Sequence, residues 1–283
     1  MKEYLYVVVE GNVPRETVEK LVSEISKCYE KLGAKLEFCE VLIFSSRYDA
    51  DKFIEEENER IYSKLGIRIS GIAPDSSVTH FAWRGWPTIA ICISDVESRP
   101  WEVASAELRR AVAHSILHGS PEYYFIPLPQ CLLDLKKRGI IRPDILDLAF
   151  YMLSIAVKSF EVTRFLVNKG FIECQKKLYC YHLRIRPGEK ELWEKAKNNI
   201  NLLVPLLMDV FKVLSGVTPL IEVVKDPVLM SLYKENLNLI PKHVKKFLSR
   251  MLHKLHKLGE DTLENIFSVA DELYKLLNYL CFL

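Results

Sequence analysis

The sequence of 283 residues is poor in glutamine, has no closely spaced pair of cysteines and lacks long apolar runs. Its seven cysteines are scattered, and because none forms a C-x-x-C pair they argue against a zinc ribbon or a thioredoxin-type site. They are typical of buried, reduced thiols, so we expect a cytoplasmic protein. No apolar run approaches the roughly 18 residues that span a membrane, so no membrane partner is expected. The only glutamines are Gln130 and Gln175, a scarcity that is typical of thermophilic sources.

Charges of the two signs are nearly balanced along the chain. The formal net charge is only +2, which offers no global electrostatic reason to expect a nucleic-acid binder. Hydrophobic residues make up 49% and charged residues 27% of the chain, the profile of a folded globular protein. At this length the chain can form one large domain or two of ordinary size.

Strand-like and helix-like patterns alternate as far as residue 118. Residues 119–130 then hold three prolines, which argue against regular structure, and the patterns that follow are helical. We therefore predict an α+β protein, with a mixed α/β N-terminal domain over 1–125 and an all-helical C-terminal domain over 126–283. In the second domain helices are predicted over 142–169, 188–215, 219–237, 241–257 and 260–281.

The clearest strand of the first domain is "TIAICISD", in which Ile89, Ile91 and Ile93 alternate with small side chains. Side chains of a strand point alternately to the two faces of a sheet. The alternation therefore predicts a strand that packs on one side only.

The stretch "AVAHSILHGS" places His114 and His118 four residues apart in a predicted helix that begins near Pro100 and ends at Gly119. Residues at this spacing project from the same helical face. Two such imidazoles can bind one zinc ion at about 2.0–2.1 Å each, and a catalytic zinc needs a third protein ligand. Glu161, in a helix further along the chain, is the candidate for that ligand.

The strand, the histidine helix and the later glutamate together resemble the zincin metallopeptidases, specifically the gluzincin branch. The resemblance covers about residues 86–170 of the sequence. It implies that His114, His118 and Glu161 bind zinc, and that Thr88–Ser94 is an edge strand that holds the substrate backbone. The substrate-binding residues that it implies are Ile89, Ile91, Ile93, Tyr181 and His182, the last two as oxyanion-stabilising side chains.

Ser115 is the main departure from this family, because the residue after the first histidine is normally the glutamate that activates the water. A serine hydroxyl has no useful basicity near neutral pH, and loss of a general base typically costs about 10²–10⁴ in rate. Glu107 lies two turns back along the helix, roughly 10 Å away, too far to take over that role. We therefore predict a zincin-like pseudo-peptidase that acts as a peptide- or protein-binding module. The alternative is an active zinc-dependent hydrolase with an unusual general base.

Simpler interpretations of the same residues stay open. His118 stands next to Gly119 at a helix C-terminus, where an imidazole is electrostatically favoured without a metal. Glu161 has Lys158 and Arg164 three residues away on either side, so surface ion pairs explain it equally well. Tyr181 and His182 are also consistent with the polar edge of a β-like turn.

The predicted helix over 241–257, "PKHVKKFLSRMLHKLHK", combines a basic face with an apolar stripe. It supports a further alternative, a protein without metal that binds nucleic acid or an acidic partner through this helix. The commoner explanation is a solvated face on a helix that packs within its own domain. The acidic helix that follows, over 260–281, offers charges that would neutralise it.

Overall fold

The computed structural model describes residues 4–34, 37–65, 76–139 and 141–280. The chain divides into two compact units, Met1–Phe125 and Ile126–Leu283. The first unit contains a small mixed sheet with helices, and the described part of the second is helical, so the predicted α+β class is confirmed.

One four-stranded sheet forms the centre of the first unit, in the order β1–β2–β4–β3. β1, β2 and β4 run parallel, and β3 lies antiparallel to β4 at one end of the sheet. The strands are β1 (Leu5–Glu10), β2 (Cys39–Phe44), β3 (Val78–Phe81) and β4 (Thr88–Cys92).

The prediction that Thr88–Ser94 lies at the sheet edge and packs on one side only is wrong. β4 is hydrogen-bonded to β2 on one side and to β3 on the other, and all five of its residues are buried. The small residue Ala90 faces a cluster that includes Ala50 and Ile54, so the face expected to be open is covered. Strands of parallel sheets are covered on both faces in this way. The strand also ends at Cys92, because a short helix begins at Ile93.

The helices of the first unit are α1 (Arg15–Leu32), α2 (Arg47–Leu65), α3 (Ile93–Glu97) and α4 (Trp101–Leu117). α1 ends at Gly33, whose φ of 68° lies in the left-handed region that glycine adopts without strain. α4 packs against β3 and β4, and also against α1. A turn of 3₁₀ helix over Pro121–Tyr123 follows α4.

The described part of the second unit is a bundle whose central pair is α6 and α9. Its helices are α5 (Gln130–Arg138), α6 (Pro143–Asn168), α7 (Ile172–His182), α8 (Glu189–Ala196), α9 (Ile200–Val223), α10 (Pro227–Leu239), α11 (Lys242–Leu255) and α12 (Thr262–Leu280). Buried side chains of these helices form one continuous core.

Two helix boundaries of the second unit differ from the predicted ones. The break expected after residue 215 does not occur, because α9 continues through Pro219 to Val223. The breaks fall instead before Ile200, where Asn199 caps α9, and before Pro227, where Asp226 caps α10. α9 is long and apolar enough to cross a membrane, judged by length and composition only, and 56% of its most apolar window is buried inside the protein.

Candidate functional site

His114 and His118 lie at the C-terminal end of α4, where their rings meet. The Nδ1 atoms of the two imidazoles are 3.1 Å apart, and the ring centroids are 5.2 Å apart. The helix end sets this geometry, because the backbone N–H of His118 donates to the carbonyl of His114 over 2.7 Å. His118 is fully buried and His114 is half-buried. At 3.1 Å the Nδ1 of one ring donates a hydrogen bond to the Nδ1 of the other, unless both nitrogens bind a common cation.

His80 of β3 joins this pair from the sheet. Its ring lies parallel to the ring of His114, with an interplanar angle of 8° and 6.1 Å between centroids. Its Nδ1 shares a hydrogen bond of 2.5 Å with the hydroxyl of Tyr124. The rings of the neighbouring Tyr123 and of His118 lie edge to face, with 5.4 Å between their centroids. We call these three imidazoles and two phenols the imidazole–phenol cluster.

β3 also supplies backbone groups next to this cluster. The N–H of Cys92 donates to the carbonyl of Ser77, so in the antiparallel ladder the carbonyls of Val78 and His80 point away from β4. The hydroxyl of Ser76 donates to the first of these carbonyls over 2.5 Å, and that of Tyr124 approaches the second at 3.5 Å. Both outward carbonyls are thus covered by side chains of the same unit, which protects the edge against strand addition.

Ser115, at the position of the missing general base, faces the interior of the unit. It is 1% exposed, and its hydroxyl lies 2.5 Å from that of Tyr29 on α1 and donates to the carbonyl of Val112. Tyr29 also donates to the thiol of Cys39. Burial raises the pKa of the Tyr29 phenol, and it raises the pKa of the Cys39 thiol to about 11. The position therefore belongs to a buried, neutral hydrogen-bonded group.

Glu107 is committed to a structural role. One carboxylate oxygen accepts hydrogen bonds from both the backbone N–H and the hydroxyl of Ser77, and the other accepts from the guanidinium of Arg99 over 2.8 Å. This network joins α4 to the residue that precedes β3. Its contacts agree with the expectation that Glu107 does not replace the missing base.

Glu161 lies in the second unit, on α6, and is 6% exposed. Its two carboxylate oxygens accept hydrogen bonds from Asn265 at 2.6 Å and Thr262 at 2.9 Å. Glu161 is not a surface residue as the ion-pair interpretation supposed, because it and Lys158 are both buried. Arg164 hydrogen-bonds to the backbone carbonyls of Leu258 and Gly259, just after α11. The carboxylate instead joins α6 to α12.

Of the zinc ligands implied by the resemblance, His114 and His118 lie together at the end of α4. Glu161 is held by Asn265 and Thr262 within the second unit. Two nitrogens bound to one tetrahedral zinc lie about 3.3 Å apart, close to the 3.1 Å between His114 and His118. Across the residues that the structure describes, no three His, Cys, Asp or Glu side chains are placed to hold a metal ion. No hydrolytic step through zinc follows from this arrangement.

The predicted substrate-binding residues occupy two different environments. Ile89 and Ile91 are completely buried in β4 and Ile93 is 5% exposed at the start of α3, so their side chains belong to the core. Tyr181 and His182 are half-buried at the end of α7, with their rings edge to face at 5.6 Å. The β-like turn considered for them is wrong, because these residues form the last turn of a helix.

Sequence reasoning missed the part of the cluster that comes from outside α4. The sequence patterns assigned no role in the site to His80, Tyr123 or Tyr124. The usable signal was the pair of tyrosines directly after the histidine helix, since a short connection returns them to the helix end. No protein-family model matches the chain, and neither a curated protein nor a solved structure matches it.

Proposed function

We propose that the protein is a zincin-like protein without peptidase activity, whose His114–His118 pair binds a divalent transition metal and whose first unit binds a peptide or protein partner. The observation that carries the proposal is the 3.1 Å separation of the two Nδ1 atoms, close to that of two ligands on one zinc ion. An imidazole pair held by a helix end is already oriented for a cation. Neutral imidazole is also the commonest metal ligand in proteins.

The arrangement of β3 and α4 supports the zincin-like part of the proposal. An antiparallel edge strand lies beside the helix that carries the two histidines, as the resemblance implies, although that strand is β3 and not Thr88–Ser94. His80 extends from β3 to the ring of His114. Since the outward carbonyls of β3 are covered, a peptide partner would contact side chains of the imidazole–phenol cluster rather than lengthen the sheet.

Two features support the absence of hydrolysis. Ser115 provides no carboxylate, and its hydroxyl is buried against Tyr29. Glu161, the ligand that the resemblance implies, is held by Asn265 and Thr262. An active hydrolase with an unusual base gains no support from Glu107, whose carboxylate is tied to Ser77 and Arg99.

A cytoplasmic location is part of the proposal. The six described cysteines are free thiols, which suits a reducing compartment.

Calorimetric titration of the untagged full-length chain with zinc tests the metal site. We expect one zinc per chain, and a loss of at least about tenfold in affinity on His114→Ala, because one of two ligands is removed. His253→Ala is the matched control, since His253 and His256 form another helical histidine pair, with 6.2 Å between centroids. Equal zinc binding by wild type and His114→Ala would refute the proposed site. So would a loss seen only in the His253→Ala variant.

A further inference from the structure

α11 has one face in the core and one face in solvent. Its apolar residues are buried and pack against α9 and α12, so this side of the helix already has its partner within the second unit. The apolar residues are Val244, Phe247, Leu248, Met251, Leu252 and Leu255.

The opposite side of α11 is basic throughout. Between Pro241 and Lys257 there is no Asp or Glu, and Ser249 is the one exposed residue on this side that is neither a cation nor a histidine. Residues three and four apart lie above one another on a helix, so the cations form continuous rows along about 20 Å of helix. We call this surface the basic face, formed by Lys242, Lys245, Lys246, Arg250 and Lys254 of α11 and by Lys257 just after its end.

The basic face has no neutralising partner within the described parts of the chain. None of its six cations forms an ion pair with a described carboxylate. Lys245 contacts the amide of Asn238, and Lys246 lies over the ring of Tyr279 at 4.6 Å. Among the acidic residues of α12, Glu272 forms its ion pair with Lys275. The expectation that the following helix neutralises α11 is therefore not met by a direct contact.

We propose that the basic face binds the phosphate backbone of double-stranded DNA without sequence preference. Clusters of Lys and Arg are enriched where proteins contact DNA, whereas the cores of protein–protein interfaces are depleted in Lys. The wide major groove of B-form DNA admits an α-helix and places phosphates along both of its sides. The cations cover about half of the circumference of α11, which suits contacts to both rows of phosphates.

Other polyanions fit the basic face less well. Insertion into an anionic membrane requires an exposed apolar face, and that of α11 is buried. Single-stranded nucleic acid is usually held by exposed aromatic side chains on which bases stack, and the solvent side of α11 carries none. The deep, narrow major groove of double-stranded RNA does not admit a helix in the same way.

The test is fluorescence anisotropy of a short labelled DNA duplex with the full-length chain between about 50 and 200 mM salt. If four cations of the basic face each neutralise one phosphate, the logarithm of the affinity falls against the logarithm of salt with a slope of about 3 to 4. Lys246→Glu with Arg250→Glu is expected to weaken binding more than about tenfold and to lower the slope by about 2.

Lys190→Glu with Lys195→Glu is the matched control, because it makes the same charge change at exposed positions of α8. This control should leave the slope unchanged. The neutral variant Lys246→Gln with Arg250→Gln should give about half of the effect of the double reversal on the logarithm of the affinity. The circular dichroism spectrum and unfolding midpoint of each variant show whether it is folded.

Equal loss of binding in the α8 control would contradict the proposal, since only total charge would then matter. Equal or tighter binding to single-stranded RNA, double-stranded RNA, polyglutamate or phosphatidylglycerol vesicles would also contradict it, because each assigns the basic face to another partner. The zinc site of the first unit is tested separately, so either proposal can fail without the other.

Discussion

The hydroxyl of Ser115 lies between α1 and α4, 2.5 Å from the phenol oxygen of Tyr29. A glutamate at this position would bring a carboxylate into a buried group that already contains a phenol and a thiol of raised pKa. Ser115→Glu is therefore expected to lower the free energy of unfolding by about 3 kcal/mol or more without creating peptidase activity. Urea denaturation and a peptide hydrolysis assay measure the two effects.

Two further variants separate the effect of burying a carboxylate from the effect of losing the serine hydroxyl. Ser115→Ala should cost only about 1 kcal/mol, because it removes a hydrogen bond without burying a charge. Ser63→Glu places the same side chain at an exposed position of α2 and should be nearly neutral. A stable Ser115→Glu variant that hydrolyses peptides would show that this position does face the metal.

Lys158 predicts a pH dependence of stability. Burial lowers the pKa of its ammonium group to about 8, although the charge of Glu161 opposes the shift. The unfolded lysine has a pKa of about 10.4, so between these values the unfolded chain binds more protons than the folded chain. The contribution of this group to the free energy of unfolding therefore rises with pH, by up to about 1.4 kcal/mol per unit, from about pH 8 to pH 10.4.

Lys158→Met removes this contribution. The stability of the variant relative to wild type should therefore fall as pH rises from about 8 to 10.4, and be constant below pH 7. Urea denaturation of both proteins across this range measures the difference. The Cys39 thiol, whose pKa is raised, changes the free energy of unfolding with pH in the opposite direction. This contribution is the same in both proteins, so it cancels when the two are compared. A difference that does not change with pH would contradict the lowered pKa.

At the scale of elements, α7 and α9 meet at Gly216. A Cβ atom at this position would press against the hydroxyl of Tyr179 and lie 3.0 Å from its Cζ. Helix propensity alone predicts that Gly216→Ala stabilises the protein by about 1 kcal/mol, but overpacking costs about 1–3 kcal/mol. We expect net destabilisation in thermal or urea unfolding.

Tyr179→Phe provides the background for this test. It removes the hydroxyl that the new methyl group would meet, so the cost of Gly216→Ala should be smaller in that background. The hydrogen bond of 2.9 Å between Tyr179 and Thr163 is lost in both members of that comparison. An alanine at position 216 that stabilises the wild-type chain would show that α7 and α9 are not this close.

Local sequence patterns predicted those helices and strands well whose structure depends mainly on their own residues. The extent of α4 follows from Pro100 and Gly119, and the alternation of buried and exposed residues in α11 follows from its apolar spacing. The position of β4 inside the sheet depends on its neighbours, and Ala90 resembles a surface residue in the sequence although Ala50 and Ile54 of α2 cover it. α7 was not predicted, because a stretch of eleven residues with two adjacent lysines and a polar end carries a weak helical pattern.

At the scale of the whole molecule, the candidate site was predicted only in part. The approach of His114 and His118 is a property of one helix, so their spacing was sufficient. His80 joins them through the antiparallel return of β3, which no local pattern encodes. Glu161 matched the family only by its place along the chain, and its hydrogen bonds to α12 are tertiary contacts within the second unit.

The central claim is that His114 and His118 form one metal-binding pair through their Nδ1 atoms. The most direct measurement is a long-range ¹H–¹⁵N NMR spectrum of the full-length chain, labelled at histidine, during addition of zinc. We predict that the Nδ1 resonances of His114 and His118 move together and are complete at one zinc per chain, while those of His253 and His256 stay in place. Unchanged Nδ1 resonances of His114 and His118 in excess zinc would contradict the claim.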